Sequence, residues 1–217
     1  MIVKSVVFDL DGTLVDSAPD IIEALRQALL ATGLRDIPEL PSTLVGPPIR
    51  DILRKLPIEI DNATEDRIVA HFRSIYDNGP MERTVLYPGV FMVLQTLKRF
   101  GVTMYVATNK PHQPTTRLLA NLVPDLIRDQ VCIDSLMGRR LDKTQMVGEL
   151  MSRHRLEAET TCVVGDGGSD IRAAIGQGCM AVAALYGYGS RDELEEAGAL
   201  RFLNAPTDIL SIVGIVA

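Results

Sequence analysis

Two acidic residues follow an apolar run near the start of the chain, in the stretch VVFDLDGTLVD. Asp9 and Asp11 lie two positions apart, and like charges this close repel unless a cation lies among them or one of them is protonated. Two further acids, Asp166 and Asp170, occur late in the chain in the stretch VVGDGGSD. If the fold brings the four carboxylates together, we expect them to bind a divalent cation.

Mg²⁺ is the cation that this set of side chains favours. It binds a few carboxylates, keeps several waters and is commonly completed by a phosphate group of the substrate. Thr108, in VATNKP, and Lys143, in LDKTQM, add a hydroxyl donor and a positive charge that suit phosphate oxygens. Lys110 is the alternative basic residue, and we prefer Lys143. The pattern predicts phosphoryl transfer from a small phosphorylated metabolite.

The first acidic pair offers both a nucleophile and an acid. A carboxylate can attack phosphorus to form an aspartyl phosphate, which water then hydrolyses, and Asp9 is the candidate. Asp11 is the candidate for protonating the leaving oxygen and then deprotonating the attacking water. Gly12 would let the backbone bend sharply and approach the ligand. We also expect Thr13 and Asn109 to contact the substrate.

Five short apolar runs alternate with helical segments and predict the strands that position these residues. They are residues 3–8, 103–107, 130–133, 161–164 and 180–185. Such strands are typical of a parallel sheet covered on both faces, and ligands bind at the carboxyl ends of its strands. We therefore predict an α/β fold with a doubly wound, Rossmann-like parallel sheet, and crossover helices over 113–122 and 143–154.

The interval between the first two predicted strands is far longer than a single crossover needs. It contains the amphipathic stretch IIEALRQALLATG, a second helical stretch TEDRIVAHFRSIY, and a proline-rich segment between them. We predict that residues 17–83 form a small helical domain inserted into a core of residues 1–16 and 84–217. Within the insertion, a glycine-proline turn leads to Arg50, which could direct its guanidinium to the mouth of the site; an ordinary surface arginine is the alternative.

Four segments, in order, resemble the motifs of the haloacid dehalogenase superfamily, specifically its phosphoglycolate phosphatase-like branch: DLDGTLVD, VATNKP, LDKTQM and VVGDGGSD. The resemblance implies a nucleophile at Asp9, an acid and base at Asp11, and Mg²⁺ held by Asp9, Asp166 and the backbone carbonyl of Asp11. It places Asp170 in or near the layer of residues that surrounds the metal ligands. It also implies that the inserted segment is a mobile cap over the site. Asp170 as the N-cap of the helix that follows is the alternative. The sequence departs from the pattern at Gly167-Gly168 and in lacking a proline after Lys143.

The composition excludes several other classes of protein. The 217 residues include 22 basic and 28 acidic side chains, and the net charge of −6 argues against broad contact with nucleic acid or anionic lipid. Three scattered cysteines suggest neither disulfides nor a zinc site. No apolar run approaches the ~18 residues that a membrane span needs. We expect a cytoplasmic enzyme that is a monomer or a homodimer.

Phosphoglycolate is the leading substrate that this interpretation suggests, and several alternatives stay open. Pyrophosphate, a nucleoside monophosphate or a sugar phosphate would use the same core residues, as would a phosphomutase of the β-phosphoglucose type. A signalling receiver also combines aspartates, a threonine and a lysine at a sheet edge, but it lacks the long inserted segment. A catalytically inactive scaffold is the last alternative.

Overall fold

The computed structural model describes residues 3–137 and 139–215. In chain order its strands and α-helices are β1 Ser5–Phe8, β2 Val15–Asp16, α1 Ala18–Ala31, α2 Ile49–Lys55, α3 Asn62–Tyr76, β3 Val85–Leu86, α4 Val90–Arg99, β4 Thr103–Thr108, α5 His112–Leu122, β5 Asp129–Cys132, α6 Lys143–His154, β6 Thr161–Gly165, α7 Gly168–Gly176, β7 Met180–Ala184, α8 Arg191–Glu196, β8 Phe202–Leu203 and α9 Ile209–Ile212. Short 3₁₀ helices cover Ser42–Leu44, Ala158–Thr160 and Pro206–Asp208.

Six strands form a parallel sheet in the order β5-β4-β1-β6-β7-β8. The five predicted strands are all present, with ends that differ by one or two residues, so the predicted α/β fold is confirmed. The sixth strand, β8, has only two residues, too few for an apolar run to reveal it. In the register, Phe8 pairs with both Val106 and Val164. The residues that follow β1, β4 and β6 therefore emerge at one edge of the sheet.

Helices cover both faces of the sheet. Successive residues of a strand point to opposite faces, so neighbours in β1 belong to different apolar clusters. Val6 belongs to an apolar cluster that includes Leu94 of α4, whereas Val7 belongs to a second cluster that includes Met146 of α6. This arrangement confirms the doubly wound architecture. The crossover helix predicted over 143–154 is α6, and Asp142 caps its first turn by accepting a hydrogen bond from the Gln145 backbone N–H at 2.8 Å.

The predicted insertion contains α1, α2 and α3, and α1 packs against α3. At its base β2 and β3 form an antiparallel pair in which Asp16 lies opposite Val85. Asp20 of α1 also accepts hydrogen bonds from the Arg83 backbone N–H at 3.0 Å and the Thr84 hydroxyl at 2.8 Å. The chain thus enters and leaves this segment side by side. The division into two domains stays a prediction.

Within the described part of the chain, no helix combines the length and the apolar character required to cross a membrane.

Candidate active site

Asp9 lies directly after the central strand β1. Its backbone N–H donates to the carbonyl of Val164 at 2.8 Å, which continues the pairing of β1 with β6. The residue is 6% exposed, and Oδ1 accepts hydrogen bonds from the Leu10 backbone N–H at 2.7 Å and from Lys143 Nζ at 2.6 Å. The predicted nucleophile is therefore held in one orientation at the edge of the sheet.

Lys143 is the first residue of α6, and its buried ammonium group joins two of the acidic segments. Nζ lies 2.6 Å from Asp9 Oδ1 and 2.7 Å from Asp170 Oδ1, and it donates to the Ala107 carbonyl at 3.0 Å. Burial opposes the charge, but the Asp170 and Asp9 carboxylates raise the pKa of Lys143 above its ordinary value. Lys143 is therefore a fixed cation beside Asp9, and its role toward phosphate, for which the sequence favours it over Lys110, stays a prediction.

Asp9, Asp166 and Asp170 form one buried cluster, in which a carboxylate oxygen from each lies within 4.8 Å of the others. Lys143 supplies one positive charge against three carboxylates, so the cluster carries excess negative charge. Burial, together with Asp170 and Asp166, raises the pKa of Asp9 well above its usual range despite Lys143. Burial and Asp170 raise the pKa of Asp166 to about 7. Oxygen ligands with this charge imbalance fit a divalent cation such as Mg²⁺.

Asp166 is oriented by residues from two loops. Its Oδ1 accepts a hydrogen bond from the Thr13 hydroxyl at 3.0 Å, and its Oδ2 accepts one from the Tyr188 backbone N–H at 2.9 Å. Gly12 lies against the same carboxylate: its φ is +85°, and a Cβ added there would be 2.0 Å from Asp166 Oδ2. The position therefore requires glycine for its backbone conformation and for close approach. The predicted contacts of Gly12 and Thr13 with substrate stay predictions.

Asp170 is not the N-cap of α7, which was one of the two alternatives for it. The N-cap is Gly167, and Asp170 is the third residue of the helix. Its backbone N–H donates to the Gly167 carbonyl at 3.0 Å, while its Oδ2 accepts from the Gly167 N–H at 3.2 Å. The helix begins earlier than the apolar pattern suggested because the Asp170 side chain accepts from the N–H of the N-cap residue and closes the first turn. This places Asp170 Oδ1 next to Lys143.

Asp11 lies apart from the three-carboxylate cluster and has its own partners. Its Oδ1 lies 2.5 Å from the Ser17 hydroxyl, which donates to it, and 3.0 Å from Lys110 Nζ. Lys110 also donates to the Tyr76 hydroxyl at 2.8 Å. Burial opposes the charge of Lys110, but Asp11 and Tyr76 raise its pKa above the ordinary value. From the sequence, Lys110 was only an alternative to Lys143; its position just after β4 was the signal for a separate role.

Thr108 is the last residue of β4, and Asn109 follows it beside these groups. Thr108 is buried, and its hydroxyl accepts a hydrogen bond from the Lys110 backbone N–H at 3.1 Å. Asn109 Nδ2 donates to the Gly46 carbonyl at 3.0 Å, so it links the sheet edge to the inserted segment. Their predicted roles toward substrate stay predictions.

Arg50 pairs with α3. Its guanidinium makes 2.6 Å contacts with Glu65 Oε1 and Asp66 Oδ1, and these carboxylates raise its pKa. It lines a small cavity of about 90 Å³ that Asp11 also lines. These contacts occupy two of the five N–H donors of the guanidinium, and its predicted role in substrate binding stays a prediction.

A larger cavity of about 760 Å³ opens on the carboxylate cluster. Its wall includes Asp9, Lys143 and Asp166 on the side of the sheet, and residues 45–48 on the side of the inserted segment. Asn109 lines both cavities. The larger cavity thus lies between Asp9 and the inserted segment.

Comparisons with known proteins identify the family of the chain. The family model for haloacid dehalogenase-like hydrolases matches residues 6–184. A Phosphoglycolate phosphatase from Rhodospirillum rubrum is 33% identical over 91% of this chain and 85% of its own length. The Tyrosine-protein kinase PtkA of Mycobacterium tuberculosis is 30% identical over 93% of this chain and 69% of its own length.

The fold agrees as well. A crystal structure of a predicted phosphatase from Clostridium acetobutylicum superposes with a TM-score of 0.87 at 25% identity, covering 98% of this chain and 99% of that one. The sheet edge, the four motif segments and the matched length all point to one family. The chain belongs to the haloacid dehalogenase-like hydrolases, in their phosphoglycolate phosphatase-like branch of phosphatases.

Proposed function

We propose that the protein is a Mg²⁺-dependent phosphatase that hydrolyses a small phosphomonoester through an aspartyl phosphate on Asp9, with phosphoglycolate as the leading substrate. The observation that carries the proposal is the position of Asp9. It lies at the end of the central strand, in contact with Lys143, within the carboxylate cluster and on the wall of the larger cavity. The similarity to phosphoglycolate phosphatases supports the substrate.

In the first step, a carboxylate oxygen of Asp9 attacks phosphorus. A bond forms between that oxygen and phosphorus, and the bond between phosphorus and the leaving oxygen breaks with its electron pair on the leaving oxygen. Asp11 gives its proton to that oxygen, so the alcohol leaves neutral. Lys143 stabilises the negative charge on the transferring group, and Thr108 donates a hydrogen bond to it.

In the second step, water attacks the phosphorus of the aspartyl phosphate. Asp11, now a carboxylate, takes a proton from the water, and the bond between Asp9 and phosphorus breaks to return the Asp9 carboxylate and release phosphate. Asp11 is again protonated and ready for the next substrate. Atoms and charge therefore balance over the two steps with water as the only co-reactant.

Three groups would hold Mg²⁺: the carboxylates of Asp9 and Asp166 and the backbone carbonyl of Asp11. Asp170 would lie in or near the layer of residues that surrounds these ligands. When bound, the ion neutralises charge on the phosphate and on the clustered carboxylates. The hydrogen bonds from Thr13 and Tyr188 hold Asp166 in a fixed orientation for this role.

Residues 17–83 would act as a cap. They supply residues 45–48 to the wall of the larger cavity, so closing the segment over a bound substrate would exclude water during the first step. Residues 1–16 and 84–217 would form the core. A cytoplasmic location and a monomeric or homodimeric state remain expectations from the sequence.

A screen of phosphorylated metabolites tests the proposal. Purified protein with Mg²⁺ is assayed for phosphate release from phosphoglycolate, pyrophosphate, nucleoside monophosphates and sugar phosphates, with Asp9→Asn as the control. We expect release from at least one of them, which depends on Asp9 and is abolished by chelation of the metal. Sugar phosphate isomers formed without phosphate release would instead show a phosphomutase. No release from any phosphoester would contradict the proposal.

A further inference from the structure

We propose that Lys110 is a positioning residue for Asp11, and that Tyr76 of α3 holds Lys110 in place for this task. The inference rests on the proposed function, because it assigns Asp11 the proton transfers. It adds a second buried lysine to the site, with a role distinct from that of Lys143. Lys143 contacts Asp9 and Asp170, whereas Lys110 contacts Asp11.

Lys110 is fixed by three contacts although lysine is a flexible side chain. It is 5% exposed, and its Nζ lies 3.0 Å from Asp11 Oδ1 and 2.8 Å from the Tyr76 hydroxyl. The same ammonium group lies 4.5 Å from the centre of the Tyr76 ring, within the range of a cation–π interaction. A buried lysine with a carboxylate, a hydroxyl and a ring around it has little freedom to change rotamer.

The contacts to Asp11 fix one of its two oxygens. Both Lys110 Nζ and the Ser17 hydroxyl approach Oδ1, so the other oxygen, Oδ2, is not needed to hold the side chain. A proton donor must lie within hydrogen-bond reach of the leaving oxygen, and its geometry decides how well it works. Anchoring Oδ1 from two sides sets the direction of Oδ2.

The arrangement also joins Asp11 to the inserted segment. Ser17 precedes α1, and Tyr76 is the last residue of α3. Arg117 of α5 donates to the carbonyls of Asp77 and Gly79 at 2.7 Å each, which holds the end of α3 against the sheet side of the molecule. In this conformation α5 holds the end of α3 where it supports Lys110, so residues from both parts of the chain position the proton donor.

A stabilising ion pair without a positioning role is the competing explanation, and leaving groups of different basicity separate the two. p-Nitrophenyl phosphate and phenyl phosphate have nearly the same shape. p-Nitrophenolate is a weak base and leaves readily without a proton, whereas phenolate is more basic and depends more strongly on a proton donor. The value of kcat/KM reports the steps up to departure of the leaving group. A misplaced proton donor lowers kcat/KM mainly for phenyl phosphate, whereas a general loss of folded enzyme lowers both equally.

The variants are Lys110→Met, which keeps the length of the chain without its charge, and Tyr76→Phe, which keeps the ring without its hydroxyl. We expect Lys110→Met to lower kcat/KM for phenyl phosphate about tenfold more than for p-nitrophenyl phosphate, a fraction of the full value of a general acid. Tyr76→Phe should shift the ratio in the same direction by a smaller factor. Lys98→Met is the control, because Lys98 is an exposed residue of α4 that donates only to the Asp125 carbonyl, and its ratio should not change.

An unchanged ratio in Lys110→Met, including equal losses on both substrates, would overturn the positioning role of Lys110, and an unchanged ratio in Tyr76→Phe would overturn the supporting role of Tyr76. Circular dichroism establishes that each variant is folded, and if Lys110→Met is not, the ratio in Tyr76→Phe decides. Failure of the unsubstituted protein to release phosphate from both aryl phosphates and from every metabolite of the screen would overturn the proposed function itself, and with it the role of Lys110.

Discussion

Lys143 Nζ lies 2.6 Å from Oδ1 of Asp9, inside the molecule, although the two residues belong to distant parts of the sequence. The contact joins the first residue of α6 to the residue that follows β1. Burial and the neighbouring carboxylates raise the pKa of Asp9, and the contact with Lys143 partly offsets that rise. The attacking carboxylate is thus oriented and partly neutralised before substrate binds.

Replacing Asp9 with Asn should abolish turnover and keep the fold. The amide has nearly the same size, but it cannot attack phosphorus, and we expect phosphate release to fall more than about 100-fold. The folded structure should survive because the change removes one charge from a crowded anionic cluster. Steady-state assays and thermal unfolding measure both effects. Asp125→Asn, an exposed position, is the control. Activity above about one hundredth of the parent value would contradict the role of Asp9.

Gly12→Ala should harm both stability and activity, and Gly33→Ala provides a matched control. Both glycines have positive φ, +85° and +92°, so alanine costs roughly 1–2 kcal/mol of backbone strain at either position. A Cβ at Gly33 meets no atom within 4 Å, whereas one at Gly12 would displace Asp166. We therefore expect activity to fall at least about tenfold only in Gly12→Ala, by steady-state kinetics. Equal activity in the two variants would show that Asp166 need not stay in place.

Mg²⁺ should raise the melting temperature more at alkaline than at acidic pH. The raised pKa of Asp166, about 7, means that the metal-free folded state holds a proton that the unfolded state releases near pH 4. Stability of the metal-free protein therefore falls as pH rises between these values, and the proton competes with the metal. At a Mg²⁺ concentration of about 100 Kd, binding adds about 2.7 kcal/mol. For a chain of this length that is a shift of roughly 5–11 °C.

Differential scanning fluorimetry at about pH 8 and about pH 5.5, with and without Mg²⁺, measures the difference between the two shifts. Asp166→Asn should remove most of the shift at the higher pH, because it deletes a proposed ligand. A shift of equal size at the two pH values would contradict the assignment of these carboxylates as metal ligands.

Tyr188→Phe should destabilise the base of the inserted segment. The Tyr188 hydroxyl donates to Asp16 Oδ1 at 2.8 Å and accepts from the backbone N–H groups of Ser17 and Ala18 at 2.8 and 3.0 Å. Removing it leaves these partly buried groups without that partner, which costs about 1–3 kcal/mol. Urea unfolding measures the change, with Tyr105→Phe as the control. Equal stability of the two variants would mean that water replaces the hydroxyl at no cost.

The regular structure and the principal site segments were predictable from local patterns. Apolar runs identified the five longer strands, and the rule that ligands bind at the carboxyl ends of parallel strands placed Asp9 and Asp166 at one edge. Lys143 was found because it is a basic residue at the start of the predicted helix over 143–154, in a segment that resembles a motif of the family. Each of these inferences depends on neighbours in sequence, or on the few topologies that parallel strands allow.

Partners drawn from distant segments were decided by tertiary packing. Arg50 pairs with Glu65 and Asp66, an arrangement set by how α2 lies against α3. Lys110 contacts Asp11 and Tyr76 because the loops that follow β1 and β4 meet the end of α3. The chain's own sequence determined which chemistry the sheet edge can carry. Only the tertiary packing decided that Lys143 contacts Asp9 and Lys110 contacts Asp11, because the periodicity of apolar residues along the sequence does not encode contacts between distant side chains.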